Sequence, residues 1–325
     1  MSASDNRVIA VTGATGFVGG ALVAELLRRR VPVTAMVRDR RKLSADDALG
    51  VASIDDIGPD TDWSAVLEGV GVLVHAAARV HVMDDQADDP LAEFRRVNTQ
   101  GTLSLARQAA AAGVRRLVFV STIKVNGDAT PPGRPFTADA APAPVDPYGV
   151  SKFEAERGLF ALSEQTGMEV VVVRPPLVYG PGVKANFLSM MRWLNMGVPM
   201  PLGAIHNQRS LVALDNLVDL IITCANHPAA ANQVFLAGDG EDLSTTELLR
   251  ALGGALGRPA RLIPVPASWL KLAARLLGKG AFAQRLCGSL QVDVGKARNL
   301  LDWRPPLTLE EGLSKAAGHY LESIK

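Results

Sequence analysis

The chain has 325 residues, with 34 Lys and Arg against 33 Asp and Glu, which gives a formal net charge of +1. This length predicts one large α/β domain or two unequal ones, and the balanced charge gives no electrostatic case for binding nucleic acid or a membrane surface. The two cysteines, Cys224 and Cys287, are too few for a disulfide framework and indicate a reducing, cytoplasmic setting.

Short apolar runs that are typical of buried strands alternate with helical patterns through the first half of the chain. The runs cover 8–12, 33–37, 51–53, 72–75, 117–120 and 170–173, and the helical patterns cover 21–30, 91–112 and 148–164. This alternation predicts an α/β fold with a Rossmann-like, doubly wound parallel sheet. The irregular pattern beyond Pro175 predicts a smaller C-terminal α/β region. We assign 1–175 with about 209–238 to the first domain, and 176–208 with 239–325 to the second region.

Three glycines, Gly13, Gly16 and Gly19, stand between the first strand and an Ala- and Leu-rich helix. Gly13 allows a tight turn, Gly16 lets the backbone approach a pyrophosphate, and Gly19 lets helix and strand pack closely. The unpaired N–H groups and the positive dipole end of the helix favour an anion there. The turn therefore predicts a dinucleotide-phosphate site, although its G-x-x-G-x-x-G spacing differs from the more familiar G-x-G-x-x-G.

Tyr148 and Lys152 lie four residues apart in a helix that Asp146 caps and Pro147 begins, so both leave the same helix face. A cation beside a phenol favours phenolate and lowers its pKa from about 10 towards neutrality. Such a phenol can protonate a carbonyl oxygen or accept a proton from an alcohol. A surface pair would show the same spacing, so this interpretation depends on the other motifs.

Ser121 and Thr122 end the strand-like run at 117–120. Ligands of open α/β sheets bind at the carboxyl ends of strands, where Thr122 can hydrogen-bond the oxygen that Tyr148 protonates. We predict that Thr122, Tyr148 and Lys152 are the catalytic residues.

Two further patterns bear on membranes and metals. The N-terminus lacks a signal-peptide pattern and no apolar run approaches the roughly 20 residues of a spanning helix, so we expect no membrane insertion. The helical stretch 267–277 has Lys271 and Arg275 among apolar residues, and we expect it to dock on the C-terminal core rather than on a membrane. Five scattered histidines predict no metal site.

Taken together, these motifs resemble the extended short-chain dehydrogenases/reductases, close to the UDP-glucose 4-epimerase group. The matching segments are 12–19, 75–78, 98–102, 121–122, Tyr148 with Lys152, 174–182, 209–212 and 296–305. The resemblance runs nearly end to end. It implies a Rossmann domain that binds NAD(P), a C-terminal region that binds a UDP-sugar, and a homodimer formed through the helices 91–112 and 148–164.

The resemblance also implies which residues bind the two ligands. The cofactor-binding residues are Gly13, Thr15, Gly16, Phe17, Val18, Arg38, Asp56, Ile57, Ala76, Ala77, Ala78, Asn98, Tyr148, Lys152 and Pro175. The substrate-binding residues are Arg79, His81, Thr122, Lys124, Asn186 and Arg209. For Asp56, Asn98 and Arg209, an ordinary structural role is the alternative.

The end of the second strand distinguishes NAD from NADP, because a carboxylate there binds the ribose 2′-hydroxyl and an Arg accommodates a 2′-phosphate. Arg38 occupies this position, Arg41 and Lys42 add charge, and the acidic Asp39 comes one residue late. We therefore predict NADP(H), with NAD as the alternative.

The residues after Thr122 bear on the reaction. Related dehydratases have an Asp-Glu pair there, but Ile123 cannot transfer a proton, so we do not expect dehydration. Arg38, and Asn126 where many related epimerases have Tyr, favour an NADPH-dependent 4-reductase. Its substrate would be a UDP-4-keto-6-deoxy-N-acetylhexosamine, reduced to UDP-N-acetylquinovosamine or UDP-N-acetylfucosamine for surface polysaccharides such as lipopolysaccharide. The alternatives are a UDP-hexose or UDP-N-acetylhexosamine 4-epimerase with tightly bound NAD, and a nucleotide-binding regulator without chemistry.

Overall fold

A computed structural model describes residues 8–42, 49–80, 89–276, 278 and 280–325. The strands of these residues are β1 (Val8–Thr12), β2 (Val33–Val37), β3 (Leu49–Ser53), β4 (Val70–His75), β5 (Arg116–Val120), β6 (Glu169–Arg174), β7 (Leu177–Tyr179), β8 (Arg209–Ala213), β9 (Val234–Leu236) and β10 (Asp242–Leu243). The helices are α1 (Phe17–Arg28), α2 (Ser64–Leu67), α3 (Pro90–Phe94), α4 (Thr102–Ala111), α5 (Pro147–Thr166), α6 (Ala185–Asn195), α7 (Leu214–Asn226), α8 (Thr245–Ala255), α9 (Ala267–Leu276), α10 (Gly280–Cys287), α11 (Gly295–Leu301) and α12 (Leu309–Ser323).

The large sheet has seven parallel strands in the order β3-β2-β1-β4-β5-β6-β9. This order confirms the predicted Rossmann-like, doubly wound α/β fold. The strand order reverses between β1 and β4, whose last residues Thr12 and His75 are register partners. Ligands of such sheets bind in the crevice beyond the carboxyl ends of the strands at this reversal.

Helices cover both faces of the large sheet, because its strands are apolar on both sides. One face packs against α1 and α7 through residues such as Leu22 and Ile221. The other face packs against α4 and α5 through residues such as Leu105 and Leu159. The sheet is therefore the middle of three layers.

A second sheet has the strand order β10-β8-β7 and shares a smaller core with α6, α8 and α12. The strand β8 belongs to this small sheet, whereas α7, which follows it directly, packs on the large one. The chain thus passes between the two sheets more than once, and the domain boundaries given above stay a prediction. Among the described residues, no helix is long and apolar enough to cross a membrane.

The apolar face of the amphipathic helix α9 does not dock on the C-terminal core as predicted, although the opposite side of α9 packs against α10. None of its residues is buried, and Trp269, Leu272 and Leu276 are exposed. Its spacing of apolar residues predicted a two-faced helix correctly. The same spacing does not determine what the apolar face contacts, which is why the docking prediction is wrong.

Candidate active site

The glycine turn is shaped so that side chains would not fit. Gly13 has a φ of +69°, and a Cβ atom there would lie 2.8 Å from the backbone nitrogen of Ala77. A Cβ at Gly19 would lie 2.2 Å from the carbonyl oxygen of Gly13. Gly16 caps α1 and has no side chain to accept from the first N–H groups of that helix. These groups are therefore available to an anion, so the turn fits the pyrophosphate of a dinucleotide.

Asn98 joins the loop after β4 to the helix that carries Tyr148. The Asn98 amide accepts from the backbone N–H of Arg79 at 2.8 Å and donates to the Arg79 carbonyl at 3.0 Å and to the Ser151 hydroxyl at 3.1 Å. Asn98 is buried in a π-helical turn, Arg95–Gly101, between α3 and α4. Such turns often occur at functional sites. The single helix predicted over 91–112 gave no sign of this turn.

The loop Ala76, Ala77 and Ala78 that Asn98 supports lies directly against the glycine turn. His75, which precedes this loop, is fully buried and bonds through its two ring nitrogens to Thr12 at 2.7 Å and Thr102 at 3.0 Å. Burial, followed by the charge of Lys152, lowers the pKa of His75 to about 3. His75 is therefore a neutral packing residue and not an acid or base.

Tyr148 stands in the first turn of α5 and Lys152 one turn later. Lys152 is 1% exposed, and its ammonium lies 3.7 Å from the centroid of the Phe119 ring. Burial lowers the pKa of Lys152 to about 7, although the charge of Glu156 raises it. Burial, followed by the charge of Asp146, raises the pKa of Tyr148 to about 12. The phenol in this structure thus keeps its proton at neutral pH, contrary to the lowered pKa that the spacing predicted.

Thr122 is tied to the Tyr148 helix through two side chains. The Thr122 hydroxyl accepts from the backbone N–H of Lys124 at 3.3 Å, and the Lys124 ammonium pairs with Asp146. Asp146 also caps α5 by accepting from the backbone N–H of Gly149 at 2.7 Å. This chain of contacts holds the hydroxyl-bearing end of β5 next to the first turn of α5.

Glu156 lies at the centre of a buried polar network that the sequence analysis missed. Its carboxylate accepts from the Ser121 hydroxyl at 2.5 Å and from two nitrogens of Arg174 at 3.0 and 2.5 Å. A third nitrogen of Arg174 donates to the Asn126 side chain at 3.0 Å. A signal was present, because Tyr148, Lys152 and Glu156 recur every four residues on one helix face.

The network places Ser121, the neighbour of Thr122, against the middle of α5. Arg174 and Glu156 are only 5% and 2% exposed. Buried charges are tolerated when they are paired and hydrogen-bonded, and such pairs hold their elements in one geometry. Glu156 is thus a positioning residue for the strand end that carries Thr122.

The end of β2 presents both signs of charge. Arg38 is exposed, and the Asp39 carboxylate pairs with Arg41 at 2.9 Å. Arg40 donates instead to Ser53 at 2.8 Å and to the Val51 carbonyl at 3.0 Å, and so braces β3. The charge of Arg41, which was predicted to add to that of Arg38, is balanced by Asp39.

Other residues predicted for the two ligands lie in several environments. Ile57 packs at Gly101, and Asp56 pairs with Arg96 at 3.4 Å. Pro175 follows β6 and accepts from the backbone N–H of Ile123 at 3.0 Å. His81 lies outside the described residues. Their ligand roles stay predictions.

On the small-sheet side, Arg209 is largely enclosed and donates to the Gly288 carbonyl at 3.2 Å, and desolvation lowers its pKa. Asn186 is exposed in the first turn of α6, beside the buried Phe187. No group of metal-ligating side chains occurs within the described ranges.

Comparisons with known proteins identify the family of the chain. Residues 9–238 match the family model described as the NAD dependent epimerase/dehydratase family. The chain belongs to this family. It is 49% identical over 319 residues to a Vibrio cholerae protein named UDP-glucose 4-epimerase, covering 98% of this chain and 96% of that protein.

Two solved structures share the fold. A Thermotoga maritima UDP-glucose 4-epimerase with UDP-glucose has a TM-score of 0.77 at 21% identity, covering 98% of this chain and all of that one. The Bordetella bronchiseptica enzyme WbmG in complex with NAD has a TM-score of 0.74 at 20% identity, covering 97% and 94% of the two chains. The likeness confirms the architecture from end to end.

Membership of this family confirms the prediction that the chain is an enzyme. The predicted 4-keto-sugar reductase is wrong, because the 49% identical relative is named a 4-epimerase. The structure explains the error at Asn126, which was read as a mark of reductases. Asn126 is 2% exposed, accepts from Arg174 at 3.0 Å and donates to the Thr137 carbonyl at 3.2 Å, so its contacts are those of a residue that supports the network.

Proposed function

We propose that the enzyme is a 4-epimerase of UDP-hexoses or UDP-N-acetylhexosamines that uses tightly bound NAD. The observation that carries this proposal is the 49% identity with the Vibrio cholerae protein named UDP-glucose 4-epimerase. It is supported by the hydroxyl, phenol and ammonium of Thr122, Tyr148 and Lys152 at the carboxyl edge of the sheet.

Tyr148 is the proton-transfer group of this scheme. Its phenolate accepts the proton of the sugar C4 hydroxyl as the C4–O double bond forms. After the 4-ketone has rotated in the site to present its other face, the phenol returns a proton to the same oxygen. The glycine turn and Lys152 would hold NAD, which when bound would supply a hydride acceptor and donor for C4 of the sugar and a positively charged ring that favours the phenolate. Thr122 holds the C4 oxygen by a hydrogen bond, and Lys152 supplies positive charge beside the phenol.

The raised pKa of Tyr148 has a consequence for this scheme. A phenol whose pKa is about 12 is a poor base at neutral pH, so catalysis requires added positive charge next to it. Lys152 provides that charge only while it is protonated, and its own pKa is about 7. Binding of an anionic nucleotide close to Lys152 would stabilise the ammonium and so couple cofactor binding to activation of Tyr148.

NAD is favoured over the NADP(H) that Arg38 alone predicted. Asp39 places a carboxylate beside Arg38, where it pairs with Arg41, and a carboxylate at the end of the second strand can bind the ribose 2′-hydroxyl of NAD. The family description is also NAD dependent. For the substrate, the guanidinium of Arg209 suits a diphosphate, because its planar fork can bind two oxygens.

Two further properties belong to the proposal. A homodimer would use the helices around Leu91–Ala112 and α5, and light scattering at low concentration would test it. We also propose a cytoplasmic location, which the free cysteines Cys224 and Cys287 support. An epimerase in that compartment could supply sugars to surface polysaccharides, including lipopolysaccharide.

The experiment incubates the purified enzyme with UDP-glucose or UDP-N-acetylglucosamine and no added cofactor, and identifies the product by NMR. We expect the 4-epimer to form. We also expect denaturation of the enzyme to release NAD, which mass spectrometry would detect. Absence of epimer from both sugars, with NAD shown to be bound, would contradict the proposal.

Tyr148→Phe tests the proton-transfer role. It should keep the bound NAD and reduce turnover by at least about a hundredfold, as expected for a lost general acid–base group. Tyr320→Phe is the matched control, because Tyr320 lies in the core of the small sheet, and it should keep full activity. Near-normal turnover of Tyr148→Phe would exclude the scheme.

A further inference from the structure

The helix α9 presents an apolar face to solvent. Trp269, Leu272, Ala273 and Leu276 recur at the i, i+3, i+4 and i+7 positions of one helix face. Trp269 is 72% exposed, Leu272 61% and Leu276 80%. Single exposed leucines are ordinary, but a tryptophan and two leucines aligned on one helix mark an interaction surface.

The other side of α9 is the one that meets the protein. Leu270 and Ala274, on this side, are partly covered, and α9 packs against α10. The stretch that leads into α9 pairs with the segment after α6, since Met200 donates to the Arg261 carbonyl at 2.9 Å and Ile263 donates to the Met200 carbonyl at 2.8 Å. The stretch before α9 is therefore anchored to the segment after α6, and the apolar face of α9 is directed outwards.

The same part of the chain is strongly basic. From Leu248 to Val292 there is no Asp or Glu, and the basic residues are Arg250, Arg258, Arg261, Lys271, Arg275, Lys279 and Arg285. The chain has 34 basic and 33 acidic residues in all, so the rest of it has 27 basic and 33 acidic residues. The net charge of +1 thus conceals a segment of charge +7 joined to a remainder of charge −6.

Lys271 and Arg275 are exposed on α9 itself, one turn apart and to one side of the apolar face. An apolar face containing Trp and Leu, flanked by basic residues, is the pattern of a helix that lies in the plane of a membrane interface. The apolar side chains enter the acyl boundary, while Lys and Arg extend to anionic head groups.

We propose that α9 docks the enzyme onto the surface of a bilayer that contains anionic phospholipid. Trp269, Leu272 and Leu276 would enter the interface, and Lys271 and Arg275 would contact phosphate groups. The charge distribution favours this occupant over a second copy of the chain, because a symmetric contact would bring two segments of charge +7 together. Docking of this kind is peripheral and does not depend on which reaction the enzyme performs.

The first test is co-sedimentation of the full-length enzyme with vesicles of phosphatidylcholine mixed with phosphatidylglycerol, against vesicles of phosphatidylcholine alone. We expect binding to the mixed vesicles that weakens with added salt. The variant Trp269→Ser/Leu272→Ser/Leu276→Ser should lose at least about tenfold in partitioning. The control Leu300→Ser/Ile324→Ser removes apolar side chains that are 43% and 52% exposed elsewhere, and should bind as the wild type does.

A second pair of variants tests the charge. Lys271→Gln/Arg275→Gln should weaken binding and reduce its salt dependence. The control Arg304→Gln/Lys325→Gln changes the net charge of the molecule equally, at exposed positions outside the basic segment, and should bind normally. An equal loss of vesicle binding in the two double variants would mean that only the overall charge of the molecule matters. This result would contradict docking through α9.

Tryptophan fluorescence keeps the test independent of variants that fold poorly. Trp63 and Trp303 are buried but Trp193 is 44% exposed, so Trp269→Phe is the necessary control. A blue shift on adding mixed vesicles, quenched by brominated lipid and absent from Trp269→Phe, would report Trp269 in the interface. Three results would overturn the proposal: no binding to mixed vesicles; lipid-independent dimers that the triple serine variant dissociates; or a Trp269 shift produced by UDP-glucose without vesicles, which would show that the helix closes over the active site.

Discussion

Lys152→Met should stabilise the folded enzyme while it destroys activity. Lys152 is 1% exposed, and its ammonium contacts the ring of Phe119 in the interior of the Rossmann domain. Burial lowers its pKa from the ordinary lysine value of 10.5 to about 7, even though the charge of Glu156 raises it. A charged group whose folded pKa falls below its unfolded pKa reduces the stability of the folded state. Methionine has a similar length and carries no charge.

The magnitude follows from the difference between the two pKa values. A shift from 10.5 to about 7, at 1.36 kcal/mol for each pKa unit, corresponds to about 5 kcal/mol. Below pH 7 the lysine is protonated in both states, so the full cost is present. Between pH 7 and 10.5 the folded state loses the proton while the unfolded state keeps it, and the cost declines. The part of this range from pH 7 to pH 9 covers two pH units. About 3 kcal/mol of the destabilisation should therefore disappear between pH 7 and pH 9.

The assay is urea unfolding of wild type and Lys152→Met, both stripped of nucleotide, at several pH values from 6 to 9. We expect the free energy of unfolding of the variant to exceed that of the wild type by up to about 5 kcal/mol at pH 6. This difference should be smaller by about 3 kcal/mol at pH 9. Lys184→Met removes an exposed lysine and should show no pH-dependent difference. A variant that is less stable than wild type at pH 6, or a difference that does not change with pH, would refute the reasoning.

Two other substitutions test the packing around the site by urea unfolding. Glu156→Gln should cost about 3 kcal/mol, because it leaves the buried cation of Arg174 without its carboxylate. Glu154→Gln on the same helix breaks a partly exposed pair and should cost less than about 1 kcal/mol; equal losses would show that burial does not set the cost. Gly19→Ala should cost at least about 2 kcal/mol and weaken NAD binding in calorimetry, because its Cβ would lie 2.2 Å from a backbone oxygen. Gly254→Ala, with open space around it in α8, should instead be neutral or add up to about 1 kcal/mol, and the same cost at both glycines would contradict the packing argument.

Much of the fold could be predicted from local patterns. The strand-like run at 8–12 has the bounds of β1, and the run at 33–37 has those of β2. Buried parallel strands are continuous apolar runs, so they stand out between amphipathic helices. The helix that carries Tyr148 was equally clear, since Asp146 caps it and Pro147 begins it. These signals depend only on residues that are close in sequence, so they can be recognised without tertiary information.

The π-helical turn at Asn98 and the network around Glu156 were not predicted. Glu156 meets Ser121 and Arg174 across 35 and 18 residues of sequence, and only the packing of β5, α5 and β6 brings them together. A buried carboxylate and an exposed one look alike in a helix of mixed composition. The reductase prediction used Asn126 as a mark of the subfamily, and the sequence did not show that Asn126 lies buried in this same network.

The sequence by itself determined the Rossmann-like fold, the glycine turn and the helix with Tyr148 and Lys152, because each depends on spacing within a few turns of chain. Only the tertiary structure decided the charge state of these groups, because the pKa values of Tyr148 and Lys152 depend on burial and on partners distant in sequence. It also decided the direction of the apolar face of α9. Helical periodicity predicts that such a face exists, but whether it meets the core or the solvent depends on how the helix is joined to the rest of the protein.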